Sequence, residues 1–274
     1  MIAMDIDSSV LAAKEAKLIA LLSEYGALAV AYSGGVDSTY LSDVANDVLG
    51  ANARILLADS PSVPRSEVAE ASDLAHLRGW NFEIIHTSEF DNDAYLSNDG
   101  TRCYHCRSEL FATMSAYAEK TGIAIMAYGE IVDDLTDTTR LGAKAAKEYR
   151  VVAPLVDAGL TKAEIRALSV NRNLPTHDKP SFACLSSRFP VGTRVTVEDL
   201  KKVECAEEVL KRYGFKQYRA RHHGDTCRIE IDPHDIPKLV DDAIRQAIVR
   251  EVTAAGYKFV TLDLSGYRTG STAG

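Results

Sequence analysis

Two groups of residues in this 274-residue chain have types and spacings that do chemistry. The first is Ser33-Gly34-Gly35-Val36-Asp37-Ser38, placed between the apolar run 27–32 (ALAVAY) and a helical pattern. Gly34 and Gly35 allow backbone angles and a close approach that a Cβ would block. In such a turn, backbone N–H groups, serine hydroxyls and the positive end of the next helix surround a phosphate. The carboxyl end of a parallel strand is also where open α/β sheets bind ligands. The hexapeptide is neither a Walker loop, lacking Gly-Lys-Ser/Thr, nor GxGxxG. The alternative is a tight glycine turn with no ligand. The second group is thiols. Cys103 and Cys106 are three positions apart at an expected helix start, on one face, where the helix end favours thiolates. Cys184 lies in a stretch rich in Pro and Gly. Three thiolates suit a [4Fe–4S] cluster with one iron left free, or a zinc site with an open fourth position. The third reading is two helix-packing thiols and an unrelated cysteine. His105 is a further donor, awkward beside Cys106. Cys205, in an amphipathic helical run, and Cys227, in a strand-like run, read as small core residues.

The elements that position these residues follow from periodicity. Strands are expected at 27–32, 54–58, 82–87 and 123–128, with a short fifth at 151–154. Helices are expected at 11–25, 39–49, 65–78 (ended by Gly79), 104–120, 141–149 and 162–171. Strands alternating with helices of this length imply an α/β fold with a doubly wound parallel sheet. Pro175, Pro180, Pro190 and Gly192 then break the rhythm. Beyond them the order changes to helix 197–213, strands near 216–222 and 226–232, helix 234–254 and strand 257–264. The expected organisation is a first domain over 1–175, a linker and active-site loop carrying Cys184 over 176–195, and a smaller C-terminal α+β domain over 196–274. The last serves substrate binding and oligomerisation.

Composition bounds the function. Hydrophobic residues make up 46% of the chain, enough for an ordinary core, and no run of about 18 apolar residues suits a membrane span. The first ten residues carry acids and do not read as a signal peptide, so a cytoplasmic address is expected. A formal net charge of −8 argues against gripping a large RNA backbone, whereas a small anionic substrate needs only a few local cations. Five cysteines, an odd number, argue against a disulfide framework.

SGGVDS after an apolar strand resembles the PP-loop of the N-type ATP pyrophosphatases, in the fold class of adenine nucleotide alpha-hydrolase-like proteins. The resemblance implies that ATP is split between its α and β phosphates, with pyrophosphate in the loop beside Mg²⁺ and AMP transferred to the substrate. A closer resemblance runs along nearly the full chain. SGGVDS, CYHCR, KPSFACLSSRFPVGTRVT, YRARHHGDTCRIEI and VTLDLSGYRTGS together look like the LarE family of ATP-dependent sulfur transferases, which serve the nickel-pincer cofactor of lactate racemase. That resemblance implies a pyridinium-3,5-biscarboxylic acid mononucleotide substrate, whose carboxylates are adenylylated and converted to thiocarboxylates. Some members sacrifice one cysteine; others hold a [4Fe–4S] cluster on three, whose free iron carries sulfide. Cys103, Cys106 and Cys184 match the second kind, with Cys184, Asp37 and Glu230 as catalytic candidates. Ser187, Arg188, Arg219 and Arg221 match residues that bind the substrate or its phosphate, as forked guanidinium groups suit. Arg219 and Arg221 alternate in a strand and so share a face. Glu230 matches a family acid, or else pairs with one of those arginines. Arg107 stands where the family usually has lysine. The family tends towards hexamers and works with other cofactor-assembly proteins.

The chain departs from that pattern after the fourth strand. Gly129-Glu130-Ile131 replaces a Gly-Thr-Asn start, and Thr138-Thr139-Arg140-Leu141-Gly142 replaces Asp-Tyr-Arg-Pro-Gly, which bears on the exact substrate. Three other functions compete. A PP-loop tRNA thiolase conflicts with the acidic balance and the lack of a basic, aromatic-studded module. An ATP-dependent amidase gives no reason for three placed cysteines. A sensor that binds ATP or AMP is separated from an enzyme by pyrophosphate release.

Overall fold

The pentapeptide Leu28–Tyr32 has no polar side to show to water, and all five residues are buried as the strand β1. It lies inside a four-stranded parallel sheet in a computed structural model that describes residues 7–136, 142–180 and 183–268. The elements in chain order begin α1 (Ser8–Tyr25), β1, α2 (Val36–Leu49), β2 (Ala53–Asp59), α3 (Arg65–Leu77), β3 (Phe82–His86) and α4 (Asp93–Leu96). Then come α5 (Arg102–Thr121), β4 (Met126–Tyr128), α6 (Gly142–Glu148), α7 (Pro154–Asp157), α8 (Lys162–Asn171) and α9 (Val197–Arg212). The chain closes with β5 (Tyr218–His223), β6 (Thr226–Ile231), α10 (Asp242–Ala254) and β7 (Phe259–Leu262).

These elements form two compact units. The first takes the described residues up to 60, then 65–89 and 103–180; the second takes 61–64, 90–102 and the described residues from 183 onward. Two short segments from the first half of the chain thus belong with the later residues.

In the first unit the sheet order is β3-β2-β1-β4, all parallel. Alternation along the strands separates two cores. Val30, Tyr32, Ile55 and Leu57 face Leu18, Leu41, Ala71 and Ile165, whereas Ala29, Ala31, Leu56 and Ile85 face Phe111, Met114 and Ala145. Helices therefore cover both faces, as the doubly wound reading requires. The winding reverses between β1 and β4, so the turn after β1 opens at the point where such sheets bind ligands.

In the second unit β5 pairs antiparallel with β6, which pairs parallel with β7. Ala220, Cys227, Ile229 and Ile231 pack against Ala206, Leu210, Ile248 and Val252 of α9 and α10. Leu185, Phe189, Val195, Leu200 and Val203 form a smaller cluster.

Two expected elements differ. Residues 151–154 make only the bridge Ala127↔Val152, because Pro154 starts α7 at a position where its missing N–H is harmless. The helix expected over 234–254 is two elements. Pro237 lies in a 3-10 stretch, Pro233–Val240, and Asp241 then caps α10 by accepting from the N–H groups of Ala243 and Ile244. The expected helix start at Leu141 lies outside the described residues.

Candidate functional site

The glycine turn is shaped by contacts that leave no room for side chains. Gly34 has φ 71°, in the left-handed region, and a Cβ there would lie 3.0 Å from the Ala71 Cβ on α3. Gly35 is the N-cap of α2 with no side-chain cap, and the first helical bond runs from the Thr39 N–H to the Gly35 carbonyl at 3.0 Å. Ser38 Oγ accepts from the Ser33 N–H at 3.1 Å, lies 2.9 Å from Ser33 Oγ and donates to the Gly35 carbonyl at 3.3 Å. Gly129, just past β4, meets the turn from the other side. A Cβ there would fall 2.9 Å from the Ser38 nitrogen and 3.3 Å from the Asp37 carbonyl carbon. The result is a rigid turn at an uncapped helix N-terminus, the arrangement that attracts phosphate.

Asp37, in the first turn of α2, accepts from Lys162 Nζ at 2.5 Å through Oδ2, while its buried Oδ1 has no hydrogen-bond partner. Burial raises the Asp37 pKa, against the opposing pull of the Lys162 ammonium. A buried carboxylate oxygen without a partner, beside a phosphate turn, suits a hard cation, so Asp37 fits Mg²⁺. Lys162 begins α8, whose N-cap Thr161 forms a capping box with Glu164. Its own N–H donates to Asp133 Oδ2 at 2.9 Å.

The thiols fall in different parts of the fold. Cys103 is exposed and Cys106 half-buried on the first turn of α5, in the first unit. Cys184, half-buried, precedes the 3-10 turn Leu185–Arg188 in the second unit. Among the described residues no group of three or more His, Cys, Asp or Glu is placed to hold a metal ion. The donor chemistry suits an iron–sulfur cluster, but the described side chains do not form a ready-made site for one. Cys227 is buried as expected, whereas Cys205 is exposed, because it points away from the α9 stripe of Leu200, Val203, Ala206 and Leu210 that meets the core. The expectation that Cys205 is a core residue is thereby corrected.

The turn after Cys184 is held by arginines. Arg188, fully buried, forms a two-bond pair with Glu207 at 2.8 and 2.9 Å, and its Nη1 donates to the carbonyls of Ala183 (2.6 Å) and Cys184 (3.0 Å) and to Ser187 Oγ (2.9 Å). Arg221 donates to the Ser187 carbonyl at 3.0 Å, and Arg102 to the Ser186 carbonyl at 2.7 Å. Tyr95 Oη lies 2.8 Å from Ser186 Oγ. Arg219 and Arg221 do share a sheet face, opposite Glu230 and Arg228 in register. Glu230 is fully buried and pairs with Arg221 at 2.9 Å and Arg228 at 3.0 Å, so the ion-pair reading of this acid is the geometry found. The Arg219 guanidinium stacks over Tyr267 at 5.0 Å; burial and then the Arg188 charge lower its pKa. Arg107, on α5, lies over the Tyr128 ring at 5.5 Å.

No protein-family model matches the chain. It is 41% identical over 259 residues to an uncharacterized protein of Synechocystis, covering 93% of this chain and 96% of that one. It is 32% identical over 261 residues to the pyridinium-3,5-bisthiocarboxylic acid mononucleotide synthase of Lactiplantibacillus plantarum, covering 95% of this chain and 94% of that one. The chain belongs to the family of this synthase. An uncharacterized protein of Methanocaldococcus jannaschii is 28% identical over 88% of the chain and 90% of its own length.

In this family member, sequence reasoning missed several residues that the fold brings to the sites. Lys162 was legible as the start of a helix, and Thr161–Glu164 carries the capping-box signature, but nothing in the sequence pairs it with Asp37, 125 positions away. Arg102 and Glu207 are likewise ordinary charged residues until the fold sets them on the Cys184 turn. Of the altered loop, Arg140 and its neighbours 137–141 lie outside the described residues, while Gly142 fits closely against the Arg107 side chain. Among the described residues no helix is long and apolar enough to cross a membrane.

Proposed function

We propose that the chain is an ATP-dependent sulfur transferase that adenylylates the carboxylates of pyridinium-3,5-biscarboxylic acid mononucleotide and converts them to thiocarboxylates, in nickel-pincer cofactor biosynthesis for lactate racemase. Kinship with the bisthiocarboxylic acid mononucleotide synthase over 95% of the chain supports the substrate and product. The observation that carries the ATP chemistry is the turn itself: Gly34 and Gly129 pack without room for a Cβ around an uncapped helix end, with Asp37 Oδ1 buried and unpartnered.

The proposed reaction has two displacements. A substrate carboxylate oxygen attacks the α-phosphorus, the bond to the bridging oxygen breaks, and its electron pair leaves with pyrophosphate. The N–H groups of residues 34–38 meet the charge that grows on the leaving group, which lowers the barrier because it is strongest in the transition state. Mg²⁺ held by Asp37 supplies further charge neutralisation when bound. A sulfur nucleophile then attacks the activated carbonyl carbon, and AMP departs. Arg107, Ser187, Arg219 and Arg221 are the proposed substrate contacts. Arg188, expected as a further one, is fully buried on Glu207 and instead fixes the Cys184 turn, and Glu230 holds Arg221 and Arg228 in place.

The finer part of the proposal is that Cys103, Cys106 and Cys184 carry the sulfur as ligands of a [4Fe–4S] cluster. Its support is the spacing of Cys103 and Cys106 and the match of these two thiols and Cys184 to the three-cysteine pattern. On the same reading the enzyme works in the cytoplasm as a homo-oligomer, a hexamer by family resemblance, beside other cofactor-assembly proteins. The test is anaerobic reconstitution with iron and sulfide, then incubation with MgATP and the pyridinium dicarboxylate. Substrate-dependent pyrophosphate release and a thiocarboxylate mass shift are expected. Absence of pyrophosphate release refutes the function, and thiolation without iron refutes the cluster alone.

A further inference from the structure

We infer that Glu130 is a specificity-determining residue for the substrate: its carboxylate meets the positive charge of the pyridinium ring, while Arg107, over the ring of Tyr128, takes a carboxylate of the same molecule. The inference rests on the function proposed above. Glu130 is a point at which the chain leaves the LarE pattern, where threonine stands. It lies two positions beyond β4, at the carboxyl end of the sheet where ligands bind, and its neighbour Gly129 packs against Ser38 of the phosphate turn. The backbone that follows is held in place. Ile131 is buried, and the Val132 N–H donates to the Leu160 carbonyl at 3.1 Å.

Tyr128 stands between two opposite charges. Its hydroxyl donates to Glu130 Oε2, and the Arg107 guanidinium lies over its ring at 5.5 Å from the centroid. Burial and then Glu130 raise the Tyr128 pKa, so the phenol keeps its proton and the carboxylate is the negative member of the pair. Among the described residues neither Glu130 nor Arg107 forms an ion pair. Glu130 is half-buried, so its charge has given up water for one neutral hydrogen bond. An acid in that state gains from a cation. A metal ion fits poorly, because it needs several oxygens at short range and the nearest partner here is a hydroxyl already donating its proton. A pyridinium ring fits better. Its nitrogen, bonded to ribose, has no proton to lose, and its spread charge needs no coordination shell. With a carboxylate on the same ring it supplies both the cation for Glu130 and the anion for Arg107. An uncharged ring would leave Glu130 without a counter-charge, and the site would discriminate against it on that ground.

The test is calorimetric binding to the full-length protein, with magnesium and α,β-methylene ATP present so that no turnover occurs. Two ligands are compared: pyridinium-3,5-biscarboxylic acid mononucleotide and its 1,4-dihydro form, which keeps the carboxylates and the phosphate but has an uncharged ring. The unaltered protein favours the cationic form by roughly tenfold, the lower end for contact with a charged group because Glu130 is only half-buried. Glu130→Gln keeps an acceptor for Tyr128, loses about tenfold in affinity for the cationic form and stays within about twofold for the dihydro form. Tyr128→Phe removes the phenol, keeps the carboxylate and keeps the preference. Equal losses for both forms in Glu130→Gln, or loss of the preference in Tyr128→Phe, show that Glu130 acts only through Tyr128 and overturn the inference. So does an unaltered protein with no preference, or unchanged affinity for the cationic form in Glu130→Gln. A raised magnesium requirement for nucleotide binding in Glu130→Gln, with the ring preference intact, assigns the acid to a metal and overturns it too. Failure of the unaltered protein to bind either ring form, with the methylene nucleotide bound, refutes the proposed substrate itself and is seen without any variant.

Discussion

Replacing Gly129 by alanine tests whether the phosphate turn is set by backbone contact. Gly129 is not among the residues with positive φ, so alanine costs nothing in backbone conformation there. The cost is steric. The new Cβ would stand 2.9 Å from the Ser38 nitrogen and 3.1 Å from its Cα, and neither atom is the free end of a flexible side chain. Ordinary contact requires a retreat of about half an ångström, so either β4 or the first turn of α2 shifts. Overpacking of this kind costs about 1–3 kcal/mol. For a unit of this size each kcal/mol lowers Tm by about 2–4 °C, giving a fall of about 2–12 °C. Since a displacement of 1 Å at a reacting centre costs about 100-fold in rate, half of that costs about tenfold in pyrophosphate release. Gly79→Ala is the control. Gly79 has φ 64° with nothing within 4 Å of an added Cβ, so it loses about 1 kcal/mol through conformation alone and leaves the turn untouched. Thermal melts and a MgATP-dependent pyrophosphate assay on both variants decide the matter. If Gly129→Ala melts and turns over like the unaltered protein, the reasoning about the turn is wrong.

Other perturbations probe the rest of the molecule. Cys184→Ala is expected to abolish thiocarboxylate formation and any reconstituted brown absorbance while ATP binding persists; full thiolation by this variant would remove Cys184 from the sulfur step. Glu230→Gln leaves Arg221 and Arg228 without their shared carboxylate, and a loss of about 3–5 kcal/mol in urea unfolding is expected; a loss under 1 kcal/mol would show that the pair is not the buried network described. Burial holds His222 and His223 below their usual 6.5. The unfolded chain therefore takes up protons first, and stability falls as pH drops through that value. His222 stacks on Phe189 at 4.7 Å and meets Tyr257 Oη at 3.1 Å, with Asp199, Lys202 and His223 as its charged neighbours. His222→Phe keeps the stack and removes the His222 share while that of His223 remains, so the fall of Tm between pH 7 and 5 should become shallower; an unchanged slope counts against the assignment.

Local physics made much of this protein readable before any coordinates. The apolar run 27–32 has no face for water, so it must be an interior strand. Gly34 and Gly35 after it admit a tight turn at a helix start, and the alternation of Arg219 and Arg221 puts both on one side of β5. In each case the decisive contacts lie within a few residues of one another, where spacing alone is informative. What only the tertiary structure decided involves partners far apart in the chain. The pairing of Lys162 with Asp37, the hold of Arg102, Arg188 and Arg221 on the Cys184 turn, and the fit of Gly129 against Ser38 depend on the order of strands and the angle of helices. The same holds for the grouping of 61–64 and 90–102 with the later unit, and for Cys205, which the α9 pattern leaves near the apolar stripe but packing turns outward. Periodicity says which face of an element is apolar. It does not say which distant element that face will meet, because that is settled by the summed burial of the whole core rather than by any one segment.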